Sequence, residues 1–365
     1  MSAKKRPSRN LKRAAPRWWL TRPDAIETFL RDLRGVKVFE IGNSAGGHPI
    51  LAASWGKRED LPGRTCNSLS SALCGGSVSA FYGEGERTRQ GLLFVGSAHG
   101  LEFEGTVAAL NMLNVVATGK DLRGREWPRL RREARKLRLV VIPTLNMDGR
   151  MRYPDVTHFL GTTAEYHRKL SQGNFKSGEK LTWPKSKLIS PIPPGDVRSM
   201  GAYFNDHGVN LVYDTGLGVD PQPETRALLE FCREEMPDCA ICSHTDRGSL
   251  VQPPDAFVPD YYRQRQAQVA GVVSGRCLRD GVIRRHVVPQ RTHSYAGQIL
   301  YQTDLIYHAC GALPLLVEFP CGYKPFPYTF NQVLDIGLAA LEEIVAFGTA
   351  NRFRPYDLGS RKVVS

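Results

Sequence analysis

Apolar positions along this chain fall into short runs and helical repeats that alternate from one end to the other. Ile26, Phe29, Leu30 and Leu33 recur at helical spacing after Arg22, Pro23 and Asp24, so a proline-opened helix is predicted to residue 34. Residues 36–41 and 49–53 read as two strands joined through Gly46 and Gly47. The run 92–95 suits a buried strand. Small residues follow (Gly96, Ser97, Ala98, Gly100), and from Phe103 a helix carries Val107, Leu110, Met112 and Leu113 on one side. Residues 137–145, 239–243 and 313–319 are further buried strands, while 225–236 and 333–347 are amphipathic or apolar helices. Residues 57–89 read as a surface loop, 119–136 as a basic connection and 150–222 as an excursion that builds a cleft. A mixed basic segment runs to about residue 290. Alternating strands and helices predict one α/β domain, with ligands at the carboxyl ends of its strands.

Composition narrows the class. A chain of 365 residues, 41% hydrophobic, with 35 glycines and 24 prolines, can bury a large core and is rich in loops. No apolar run approaches the ~18 residues of a membrane span. The start, MSAKKRPSRNLKRAAPRWWL, lacks an apolar core of the signal-peptide kind. Eight cysteines are scattered through apolar contexts, which predicts buried thiols, a reducing compartment and a cytoplasmic location. The pair Cys239 and Cys242 forms a C-x-x-C inside a buried strand and reads as structural. Net charge is +13, yet Lys4, Lys5, Arg6, Arg9, Lys12, Arg13, Arg17 and Arg22 all precede the first acid, Asp24. Residues 1–22 are therefore taken as a basic, disordered tail, 23–350 as the folded domain and 351–365 as a second tail. Such a tail allows weak attachment to an anionic partner but specifies no function.

The candidate chemistry sits at strand ends. His99 and Glu102, three apart at the strand-to-helix turn, project to one side, as two ligands of a His/His/Glu metal site would. Taken alone they could be a surface pair at a helix start. Glu104 points elsewhere. His244 ends one apolar strand, and Glu318 is embedded near the end of another, among Leu315, Leu316, Val317 and Phe319. A carboxylate so placed is costly unless it has a partner or a task.

Together these motifs carry a resemblance. His99-x-x-Glu102, Asn146-x-Asp148-Gly149, Ser243-His244 and late Glu318 occur in an order that resembles the zinc carboxypeptidase superfamily. Ile41-Gly-Asn-Ser44, Gly47-His-Pro-Ile50 and Pro223–Leu228 look like it too, so the likeness runs from about residue 36 to about 343. It implies a single α/β/α sandwich with a mixed sheet of about eight strands, and one Zn2+ per chain held by His99, Glu102 and His244. It further implies Glu318 as general base, Arg168 as the group that polarises the scissile carbonyl, and Tyr295, or alternatively Tyr301, as the mobile tyrosine at the substrate. The substrate would be a peptide, a cell-wall-type peptide or an acylated amino acid.

The departures make this a divergent member. Leu101 stands where an arginine is usual. Asn210 replaces an aspartate that orients a ligand histidine, with Asp148 or Asp214 as candidates to take over. Val212 and Tyr213 replace the Asn-Arg pair that clamps a terminal carboxylate, leaving Tyr213 as a substrate contact and Arg247 or Arg291 as replacement clamps. Asp304 is either a specificity residue or a helix cap. These departures favour a divergent peptidase or amidohydrolase. A deacylase of the succinylglutamate desuccinylase and aspartoacylase type is the alternative within enzymes. A non-catalytic metal-containing module recruited by its tail is the alternative outside them.

Overall fold

The structure, a computed structural model, describes residues 15–157, 172–181, 189–214, 220–246, 251–252, 258–281, 300–321 and 328–354. After the helix Pro23–Asp32, strands β1 (Lys37–Asn43) and β2 (Pro49–Trp55) form an antiparallel pair. The turn between them closes on Gly47, whose positive φ of 80° favours glycine. Strands β3 (Gly91–Val95), β4 (Arg138–Ile142), β5 (Gly173–Phe175), β6 (Val197–Met200), β7 (Cys239–Asp246), β8 (Val251–Gln252) and β9 (Leu313–Pro320) follow. The main sheet runs β1-β2-β4-β3-β7-β9-β8 and β5 pairs with β6 apart from it. Neighbours β4, β3, β7 and β9 are parallel, and β2 and β8 join antiparallel at either side. The mixed sheet is as expected, with seven strands among the described residues.

Among the described residues, six helices pack in two groups. Glu104–Thr118, Pro128–Ala134, Asp260–Arg279 and Phe330–Ala350 pack on one another, while Pro223–Glu235 packs on Gln302–Cys310 and on β1. A sheet between two helical layers is the expected α/β/α sandwich. Two glycines let this first group lie close, one helix on the sheet and one helix on another. A Cβ on Gly105 would fall 2.7 Å from the Ser243 side chain, and one on Gly337 would fall 2.7 Å from Ala108. Side chains alternate along β7 and β9, and parallel pairing sets His244 beside Glu318, with Thr245 beside Phe319 on the opposite face.

Several elements depart from the sequence reading. Asp260–Arg279 is a 20-residue helix where a mixed segment was expected. Its buried Tyr262, Val269, Ala270, Val273 and Cys277 keep a helical period, broken by Gln266, whose amide donates to the Pro314 carbonyl (2.6 Å). The loop 57–89 contains the short helices Leu69–Cys74 and Val78–Tyr82, which bury Leu69, Ala72, Phe81 and Tyr82. The basic connection folds into Pro128–Ala134, opened by its proline.

Both tail boundaries also move. Trp19 is buried, donates to the Thr157 carbonyl at 2.8 Å and meets Phe330 edge-on at 4.9 Å. Phe353 is fully buried, and Arg354 donates to the carbonyls of Met236 and Pro237. Basic neighbours disguised these anchors in the sequence. The eight cysteines carry thiols, not disulfides. Among the described residues, no helix is long and apolar enough to cross a membrane.

Candidate metal centre

Strand β3 empties into a turn that small residues make compulsory. A Cβ on Gly100 would meet the Arg150 backbone nitrogen at 2.4 Å, and one on Gly96 the Pro143 carbonyl oxygen at 2.3 Å. Ser97 adopts φ 47°, a left-handed conformation uncommon outside glycine, and its hydroxyl contacts the Glu102 carbonyl and the Thr106 hydroxyl. The Gly100 N–H donates to the Ala202 carbonyl (2.8 Å), which ties the turn to the segment after β6. His99 and Glu102 thus leave a backbone fixed on several sides.

His99, Glu102 and His244 offer ligand atoms that all lie within 4.8 Å of one another, and all three are buried. His99 Nδ1 lies 3.0 Å and His244 Nδ1 2.8 Å from the same oxygen, Glu102 Oε2. The ring of His99 is oriented from behind by Asn210, whose Oδ1 stands 3.2 Å from Nε2 and also accepts from the Val212 N–H. An amide oxygen only accepts, so this contact calls for a proton on Nε2 and leaves Nδ1 facing the Glu102 carboxylate. That Nδ1 has no hydrogen-bond partner among the described residues. Burial holds the His99 pKa below its ordinary value, against the opposing pull of Glu102. Glu102 would be raised by its own burial, but the two imidazoles outweigh that and hold it well below the carboxylate range. Two imidazole nitrogens and an ionised carboxylate converge on one point with an orphaned lone pair. Such a donor set fits zinc.

Asn210 itself therefore meets His99, and the two candidates to replace it are engaged elsewhere. Asp148 accepts from the Ser44 hydroxyl and from the Gly46 and Asp206 N–H groups, and Asp214 accepts from the Gln222 N–H. Glu104 lies on the opposite face, where it accepts from the Thr245 hydroxyl at 2.7 Å. Burial raises its pKa to about 7. Asp304 is a helix cap: its carboxylate accepts from the Tyr301 N–H at 2.7 Å.

Glu318 sits in register with His244. Burial, then the negative charges of Glu102 and Asp246, push its pKa well up, and its Oε2 has no hydrogen-bond partner among the described residues. Tyr213 stands close by, its ring 5.5 Å from that of Tyr301. Its pKa is also raised, by burial first and then by Tyr301, Glu318 and Glu102. One contributor had no sequence signal. Tyr203, in an irregular stretch, stacks on the His99 ring at 3.6 Å, nearly parallel to it, and donates its hydroxyl hydrogen to Glu102 Oε1 at 2.7 Å. Arg168, Tyr295, Arg247 and Arg291 lie outside the described residues.

A sandwich whose parallel strands present a His/Glu/His set at their carboxyl ends defines a class, the α/β proteins with a candidate metal centre at the sheet's edge. The comparisons with known proteins resolve it further. The zinc carboxypeptidase family model matches residues 26–309, so the chain belongs to that family, whose type is the metallopeptidase. A metallo-carboxypeptidase from Burkholderia cenocepacia superposes with a TM-score of 0.53 at 15% identity, over 89% of this chain and 68% of that one. A metallo-carboxypeptidase from Pseudomonas aeruginosa gives 0.51 at 12% identity, over 89% and 68%. Thrombin-activatable fibrinolysis inhibitor gives 0.51 at 14%, over 90% and 73%. At these identities the likeness concerns the fold. No curated protein matches the sequence.

Proposed function

We propose that this chain is a zinc-dependent hydrolase of a C–N amide bond, a divergent peptidase or amidohydrolase of its family. The observation that carries the reading is the meeting of His99, Glu102 and His244 beside Glu318, side chains from three segments remote in sequence. His99, Glu102 and His244 would hold the zinc, which when bound supplies Lewis acidity and makes water acidic enough to act near neutral pH. Glu318 is the general base. Its Oε2, without a hydrogen-bond partner among the described residues, takes a proton from water when the carboxyl is ionised, and the same carboxyl returns that proton to the leaving amine. Arg168 and Tyr295 are assigned to the carbonyl and the substrate by family likeness alone.

Tyr213 shapes the choice of substrate. With its pKa pushed up, the phenol stays neutral at working pH. Its side chain is an aromatic ring with a neutral hydroxyl that also meets Tyr301, whereas a terminal carboxylate needs a guanidinium fork. Substrates without a free C-terminal carboxylate, or with an acylated amine, are therefore favoured.

Metal analysis of the purified protein should give about one zinc per chain, and Glu318→Gln should retain it while turnover falls by about 10²–10⁴-fold. A panel of free, C-terminally amidated and N-acylated peptides then separates the substrates. Cleavage of the N-acylated members alone would favour the deacylase alternative. Cleavage of free C-termini alone would show that a clamp survives and would remove the substrate preference. Zinc retained with no turnover on any member would favour the non-catalytic module.

A further inference from the structure

We propose that Tyr203 is a positioning residue of the metal centre, holding Glu102 and His99 in their ligand geometry; the inference rests on the zinc reading above. Two contacts of different kind meet on this one side chain. Its hydroxyl donates to Glu102 Oε1 at 2.7 Å, and its ring lies on the His99 imidazole at 3.6 Å with an interplanar angle of 1°. The first contact decides which carboxylate oxygen does what. Oε1 is engaged by the phenol, and Oε2 is left turned to both histidines at 3.0 and 2.8 Å. The second contact closes one side of the His99 ring, whose edge is already fixed by Asn210. A carboxylate with one oxygen tied and an imidazole with its plane tied lose little further freedom when an ion arrives.

The backbone carrying Tyr203 is itself anchored, so the phenol has a fixed base from which to act. The Asn146 amide donates to the carbonyls of Ala202 and Tyr203 (3.3 and 3.2 Å), and Arg152 donates to the carbonyls of Gly201 and Phe204 (2.9 and 3.0 Å). Gly100, inside the ligand turn, donates to Ala202. The segment and the turn are therefore one framework. Asn146, a residue of the Asn-x-Asp-Gly motif, gains a task the motif alone does not reveal: it seats the tyrosine.

The test uses the full-length protein and zinc. Chelator competition gives the zinc affinity of wild type, Tyr203→Phe, which keeps the ring and loses the donor, and Tyr203→Leu, which loses both. Affinity is expected to fall about tenfold to a hundredfold in Tyr203→Phe and further in Tyr203→Leu, with the melting temperature of metal-free Tyr203→Phe unchanged. Tyr203→His, a flat ring with an N–H, is expected to recover part of the loss. Wild-type affinity in Tyr203→Phe overturns the proposal. So does an affinity loss accompanied by an equal loss of metal-free stability, because Tyr203 would then brace the fold rather than the ligands. Failure of the wild-type protein to bind zinc at all overturns the hydrolase reading and this inference with it.

Discussion

Asn210 shows how much a single side chain can be read, and how far. Its position in the sequence marks it as the residue behind a ligand histidine, and its Oδ1 does stand 3.2 Å from His99 Nε2. The contact is neutral, where a carboxylate would make a charge-assisted bond and raise the basicity of the ring. Asn210→Asp is expected to tighten zinc binding by about tenfold, measured by chelator competition; an unchanged or weaker affinity contradicts this account of the ring. His244 and Glu318 stood out as polar residues at the end of or within apolar runs, and His99 and Glu102 as a pair three apart at a strand-to-helix turn. Tyr203 was not. An aromatic in an irregular stretch has no period, and only the fold of the segment after β6 brings its ring against His99.

Strands and helices were legible wherever their buried sides are uniformly apolar, as in β3, β7 and β9. Asp260–Arg279 escaped because arginine and glutamine crowd its sequence and a buried glutamine interrupts its apolar side. Register did what the sequence could only suggest. By seating Thr245 on the far face of β7 it gives Glu104 a partner there and removes it from the ligand cluster. That arrangement has a pH signature. The Glu104 pKa is about 7 in the fold against an ordinary 4.5, so between these values the folded protein keeps a proton that the unfolded chain has released. Stability contributed by this group is therefore full below pH 4.5 and declines as pH rises to about 7, by about 3 kcal/mol. In metal-free protein, Glu104→Gln should remove this decline, so its stability relative to wild type should grow between pH 5 and 7 in denaturant titrations. A constant difference across that range contradicts the assignment.

The molecule as a whole extends beyond the limits its charge pattern suggested. Trp19 and Thr21 are buried, and Arg150, itself buried, donates to the Thr21 carbonyl. Trp19→Ala is expected to cost about 3–5 kcal/mol of stability, which thermal unfolding would register. Removing residues 1–14 should leave the small-substrate rate unchanged, and a large drop in a kinetic assay would give that basic stretch a role in the reaction.

The ligand-bearing strands β3 and β7 are neighbours, and Gly105 lies where the helix following one comes down on Ser243 of the other. The missing methyl group there acts as a gauge. It fixes how near the arm carrying His99 and Glu102 can come to the arm carrying His244. Gly105→Ala should push the two apart by a few tenths of an ångström or more and weaken zinc binding, even though residue 105 touches no ion.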